Sequence, residues 1–84
     1  MSEIIPIIYI VDDDSSVRAS LSLLLESAGY KVICFNSADE FLKFGFEPSA
    51  HACLILDVKM PGLSGLDLQK KINAIGYKIP IIFI

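Results

Sequence analysis

Two apolar runs, Ile7-Ile8-Tyr9-Ile10-Val11 and Cys53-Leu54-Ile55-Leu56, each lead straight into aspartate. A short continuous apolar run between turn signals reads as a strand buried on both faces. Such a strand needs cover on both sides, which a parallel sheet flanked by helices provides. A carboxylate at the strand's end is costly to hold unless something nearby needs it. Two strands that both finish in acid therefore constrain the fold and point to a site.

The rest of the chain supplies the alternation such a sheet requires. Strand one is expected over Ile5 to Val11, with Pro6 near its start, where a missing N–H is tolerated. Ser15 and Ser16 suit a helix start, and Asp14 suits its cap. Val17, Leu21, Leu24, Leu25 and Ala28 form one apolar helical stripe, which Gly29 closes. Lys31 to Phe35 reads as strand two. Ser37 and Glu40 are spaced as a capping box for a short helix carrying Phe41, Leu42 and Phe44 and ending near Gly45 to Pro48. Phe41 and Phe44 are expected in the core. A loop over 49–52 precedes strand three, Cys53 to Val58, and Gly62 to Gly65 form another loop. Leu68, Ile72 and Ile75 mark the buried side of helix three, Asp67 favours its start, and Gly76 ends it. Ile81 to Ile84 reads as strand four.

The expected order is β-α-β-α-β-α-β, a single α/β unit over residues 1–84. The last apolar run reaches the final residue. Three helices for four strands leave part of one face bare, so we expect the N-terminal part of a longer domain. An open apolar edge also predicts association between copies through Ile81 to Ile84.

Composition narrows the function. At 54% hydrophobic and 20% charged, the chain suits a strand-rich core and not a disordered segment. Its net charge of -3, without a basic cluster, argues against nucleic acid as a direct partner. The longest mostly apolar run, Ile4 to Val11, is far short of the roughly 20 residues a membrane helix needs. Met1-Ser2-Glu3 lacks the positive region of a secretory leader. Cys34 and Cys53 match no metal or redox spacing and are expected as small buried residues. His51, the single histidine, is expected at the surface.

In an open parallel sheet, ligands bind outside the carboxyl ends of the strands, where the strand order reverses. If strands one and three are neighbours, Asp12, Asp13 and Asp57 meet there. Like charges so placed repel and raise one another's pKa. A hard divalent cation such as Mg²⁺ relieves that conflict, because it prefers oxygen ligands. An aspartate beside it can act as a nucleophile toward phosphorus. The residues alone thus suggest Mg²⁺-assisted phosphoryl transfer onto aspartate.

Val11-Asp12-Asp13-Asp14 after an apolar strand, then Leu56-Asp57-Val58-Lys59-Met60-Pro61-Gly62 with Gly65 three residues on, resembles the receiver domain of bacterial two-component response regulators. The resemblance runs from about Ile5 to Ile84. It implies a flavodoxin-like doubly wound parallel sheet, the (βα)5 fold with strand order 2-1-3-4-5, here extending to strand four in the order 2-1-3-4. It implies Asp57 as the phosphoacceptor, Asp13 as a direct Mg²⁺ ligand, and Asp12 acting mainly through a metal-bound water. It implies the backbone carbonyl of Lys59 as a further metal ligand. The donor would be a histidine kinase or a small acyl phosphate, with slow self-hydrolysis and no enzymatic turnover. The segment Phe35 to Leu42 is similar to receivers fused to a LuxR-type helix-turn-helix output, which implies a cytoplasmic transcription regulator as the parent. The family's Ser or Thr just past strand four, and its Lys and aromatic residue on strand five, have no counterpart in these 84 residues.

Two other classes fit less well. A phosphohydrolase of the haloacid-dehalogenase type wants a second acid two residues after the nucleophile, and here Lys59 stands there. A nucleotide or flavin module wants a glycine-rich loop after strand one, and here that loop is Asp12-Asp13-Asp14-Ser15-Ser16.

Overall fold

A computed structural model describes residues 6–45 and 51–84. The elements are β1 (Ile7–Val11), α1 (Ser15–Ser27), β2 (Lys31–Phe35), α2 (Ala38–Phe44), β3 (Ala52–Leu56), α3 (Gly65–Ala74) and β4 (Ile81–Phe83). All strand pairs are parallel, in the order β2-β1-β3-β4, as the alternation predicts. β1 is the hinge of the order. It pairs Val11 with Phe35 on one side and with Leu56 on the other.

Side chains alternate across a strand, so β1 serves two layers. Ile8 and Ile10, with Ile55, face Leu21 and Leu25 of α1. Tyr9 and Val11, with Leu54 and Leu56, face Phe41 of α2 and Leu68 and Ile72 of α3. That second layer is the better sealed. Phe41, Leu54, Leu56, Leu68, Ile72 and Val11 are all fully buried. Each such side chain stabilises the fold by roughly 1.5–3 kcal/mol. The rings of Phe35 and Phe41 meet edge-on at 5.3 Å, and Tyr9 meets Phe41 at 5.4 Å.

Each helix begins on a side-chain cap. Asp14 accepts from the N–H groups of Ser16 and Val17, Ser37 from Glu40, and Ser64 from Asp67. These bonds satisfy donors that the first helical turn leaves unpaired. The Ser64 hydroxyl also donates to the Asp67 carboxylate at 2.9 Å, locking the start of α3. After α1 the chain reverses at Gly29, whose φ of 99° is a left-handed value that side chains disfavour.

Several boundaries and burials differ from expectation. Ile5 lies outside the described residues, and β1 starts at Ile7, just after Pro6, which accepts from Lys31 through its carbonyl but has no N–H to donate to the ladder. β3 takes in Ala52 and ends at Leu56, before Val58. Beyond Leu56 the Asp57 N–H still bonds the Val11 carbonyl, and the chain then turns, with the Asp57 carboxylate accepting from the Lys59 N–H. α3 starts at Gly65, and residues 46–50, including the expected end of α2 near Pro48, lie outside the described residues. Leu24 and Ala28 are exposed, so the stripe of α1 is narrower than its spacing suggests. Among the described elements α1 is alone on its face, and only Leu21 and Leu25 reach that layer's core. Ile75 is also exposed, because it caps α3. Tyr77 is buried in its place, after a turn in which its N–H bonds the Ile72 carbonyl at 3.2 Å. Phe44 is half exposed at the edge of the aromatic cluster. Cys34 is exposed on edge strand β2, with its sulfur 2.9 Å from the Ser22 hydroxyl. Cys53 is partly buried, and that burial pushes its thiol pKa up.

The expected bare surface is present. Beside α1, toward the start of the strands, a groove of about 730 Å³ is lined by residues including Ile8, Leu25, Cys53, Ile55 and Ile82. Among the described residues β4 has a neighbour on one side only, and Ile82, Phe83 and Ile84 are exposed there. No helix among the described residues is long and apolar enough to cross a membrane.

Candidate functional site

The register of the central strands builds the site. Val11 and Leu56 are paired, so the next residue on each strand, Asp12 and Asp57, emerges at the same level. Backbone bonds continue the ladder one step further. The Asp12 N–H donates to the Phe35 carbonyl at 3.2 Å, and the Asp57 N–H donates to the Val11 carbonyl at 3.0 Å. Both aspartates are thus held by the sheet while their side chains project past its end.

Asp12, Asp13 and Asp57 each bring one carboxylate oxygen within 4.8 Å of the others. The three differ in setting. Asp12 is buried, Asp57 partly so, and Asp13 is exposed. Burial holds the Asp12 carboxyl above its ordinary value. The Asp14 N–H, which donates to Asp12 Oδ1 at 2.9 Å, pulls the other way. The charges of Asp57, Asp13 and Asp14 add to the upward push. A carboxylate that is both desolvated and crowded by its own kind is one that a cation stabilises. The donors are all hard oxygens, which suits Mg²⁺ better than a softer metal.

The remaining candidates fall around this cluster. The Lys59 N–H donates to Asp57 Oδ1 at 3.0 Å, a contact that orients that carboxylate. Asp14 spends its carboxylate on the start of α1, at 2.8 Å from the Ser16 nitrogen, and stands outside the three-acid cluster. His51 is exposed at the opposite end of the strands, where its carbonyl accepts from Ile7. The apolar groove beside α1 has no carboxylate in its lining and is separate from the acids.

Two contacts escape a reading of the sequence. Arg18, the chain's single arginine, donates from Nη1 to the Asp12 backbone carbonyl at 2.7 Å. Its position four residues past the cap of α1 was the available signal, because that spacing turns it back toward the acidic loop. Gly65 packs against the Asp57 backbone, a contact between residues eight apart that no periodicity announces.

Comparison with known proteins gives a consistent picture. A family model described as the response regulator receiver domain matches residues 8–84. The chain is 51% identical over 84 residues to the response regulator protein TodT of Pseudomonas putida, covering all of this chain and 37% of that protein. It is 45% identical over 82 residues to the transcriptional regulatory protein FixJ of Azorhizobium caulinodans, covering 98% of this chain and 38% of that one. It therefore spans little more than a third of these relatives. Among solved structures, response regulator StyR superposes with a TM-score of 0.88 at 49% identity, over 93% of this chain and 39% of that one. The response regulator TrrA of Thermotoga maritima, solved in complex with Mg²⁺-BeF, superposes with a TM-score of 0.80 at 30% identity, over 94% of this chain and 68% of that one.

Proposed function

Since the chain belongs to the response-regulator receiver family, we propose that it accepts a phosphoryl group on Asp57 in two-component signalling. The observation that carries this reading is the meeting of three carboxylates within 4.8 Å at the ends of two adjacent strands. The donor would be the phosphohistidine of a histidine kinase. A small acyl phosphate would serve the same chemistry. One oxygen of Asp57 attacks phosphorus, the bond from phosphorus to the donor's nitrogen or oxygen breaks, and the donor leaves with its electron pair. Such a transfer depends on in-line positioning and charge neutralisation more than on a general base.

Each residue has a part in that step. The backbone bond to Val11 fixes where Asp57 leaves the sheet, and the Lys59 N–H fixes how its carboxylate is turned. Oδ2 is the oxygen free of the Lys59 bond. Asp13, Asp12 and Asp57, with the Lys59 carbonyl, are the groups that would hold Mg²⁺. When bound, Mg²⁺ supplies positive charge against the phosphoryl oxygens. Arg18 holds the acidic loop by its backbone, which keeps Asp12 and Asp13 facing Asp57. Slow hydrolysis of the acyl phosphate resets the acceptor, so the chain is a switch component and not a turnover enzyme. The likeness to FixJ, a transcriptional regulatory protein, supports a transcription regulator as the whole protein; this segment would be its receiver part, with a DNA-binding output elsewhere in the chain and action in the cytoplasm.

Intact mass after incubation with acetyl phosphate and Mg²⁺ tests the proposal. One added phosphoryl group (about 80 Da) is expected, lost in Asp57→Asn and without Mg²⁺. An equal gain in Asp57→Asn would overturn it.

A further inference from the structure

The geometry points to Gly65 as a positioning residue for Asp57. This rests on the reading of Asp57 as the phosphoryl acceptor and names what seats it. Four of the chain's five glycines have a positive φ, and a side chain added at any of them would meet open space. Gly65 is the reverse. It lies in the first turn of α3 without a positive φ, so its backbone shape does not call for glycine. What it lacks is room. A Cβ there would overlap the Asp57 carbonyl oxygen and stand 3.1 Å from both the Asp57 carbonyl carbon and the Val58 Cα.

Those are backbone atoms and cannot swing aside. The Asp57 peptide is already tied to Val11, the Asp57 carboxylate to Lys59, and the Gly65 N–H donates to the Val58 carbonyl at 3.3 Å. A methyl group at 65 must therefore lift α3 or displace the 57–58 peptide, and the acceptor carboxylate moves with that peptide. Helix propensity alone would favour alanine over glycine here. The contact, and not the helix, is what selects against a side chain. A displacement on the order of 1 Å at a reacting group can cost about 10²-fold in rate.

The test compares Gly65→Ala with Gly76→Ala. The second variant strains the far end of the same helix, at a φ of 77°, and touches nothing near Asp57. Initial rates of phosphoryl gain from acetyl phosphate are taken per folded molecule, with the folded fraction read by circular dichroism. Apparent Mg²⁺ affinity is read separately from Mg²⁺-dependent thermal shifts. Gly65→Ala is expected to be about 10²-fold slower and weaker for Mg²⁺, and Gly76→Ala within twofold of the parent on both readouts. A Gly65→Ala rate within threefold of the parent would overturn the inference while leaving the acceptor reading intact. A parent protein that gains no phosphoryl group would overturn both. If Gly65→Ala does not fold, amide hydrogen exchange in the parent decides. Mg²⁺ is expected to slow exchange at Asp57 and Gly65 together, and slowing at Asp57 alone would overturn the inference.

Discussion

Replacing Asp12 by asparagine should make the metal-free protein more stable and remove most of what Mg²⁺ adds. Asparagine keeps an oxygen to accept the Asp14 N–H and nearly the same volume, but removes one charge of three. Two unit charges at the cluster's outer separation of 4.8 Å repel by about 0.9 kcal/mol in bulk water and about 3.5 kcal/mol at an effective dielectric of 20. Asp12 takes part in two such pairs, one with exposed Asp13 and one with half-buried Asp57. Solvent weakens the first pair most, so the expected gain is about 1–3 kcal/mol at low salt and less as salt rises. Sign and pH window follow from burial. The folded chain holds the Asp12 carboxyl above its ordinary 3.8, so folding favours the protonated form. The cost of ionising it is absent below about pH 3.8 and complete once the pH has passed the raised folded value. Parent and variant should therefore converge in acid and diverge toward neutrality. Urea unfolding in EDTA measures this as a higher midpoint at an unchanged slope. Mg²⁺ at 100 times its Kd would add about 2.7 kcal/mol to the parent, and much less to the variant. A variant no more stable than the parent in EDTA at neutral pH, or one stabilised equally by Mg²⁺, would refute the reasoning.

Three further outcomes check the fold and the division of labour among the acids. Ile72→Val, at a fully buried site, should cost about 0.5–1.5 kcal/mol in urea unfolding, whereas Ile75→Val, at an exposed cap, should stay within about 0.5 kcal/mol. Asp14→Ala should cost about 1 kcal/mol through loss of the α1 cap and lower Mg²⁺ affinity far less than Asp12→Asn does, as followed by thermal shift. Arg18→Met should cost about 1.5–3 kcal/mol in EDTA, because it removes a charged donor from the Asp12 carbonyl; a loss below about 0.5 kcal/mol, the usual size of a surface change, would show that the bond does not hold the loop.

The sequence was most readable where local pattern and global fold agree. Apolar runs too short for a membrane and too continuous for a one-sided strand led to a parallel sheet. Ser37 with Glu40, and Asp14 before Ser15, marked helix starts that the structure keeps. The acid cluster was legible because both strands end in the residue type that the site uses. Burial on the helices was less legible. Leu24 and Ile75 have the right spacing, but their exposure depends on which neighbouring elements cover each face and on where α3 ends, which periodicity does not encode. The role of Arg18, and that of Gly65 beyond its place in the motif, were not legible for a related reason. Their roles come from reaching the backbone of another element, and a backbone contact leaves no signature in residue type alone.

The pairing of Val11 with both Phe35 and Leu56 has a consequence for how such a chain can change. Asp12 and Asp57 stand level because each comes one residue after a member of the Val11–Leu56 pair. Loops beyond them can lengthen without disturbing that alignment. A single-residue insertion or deletion inside β1 cannot, since it would exchange the two layers of the core and move Asp12 and Asp13 a step of about 3.3 Å along the ladder from Asp57. Length variation among descendants of this sequence should therefore collect outside Ile7–Val11 and Ala52–Asp57, and those two intervals should behave as a fixed ruler.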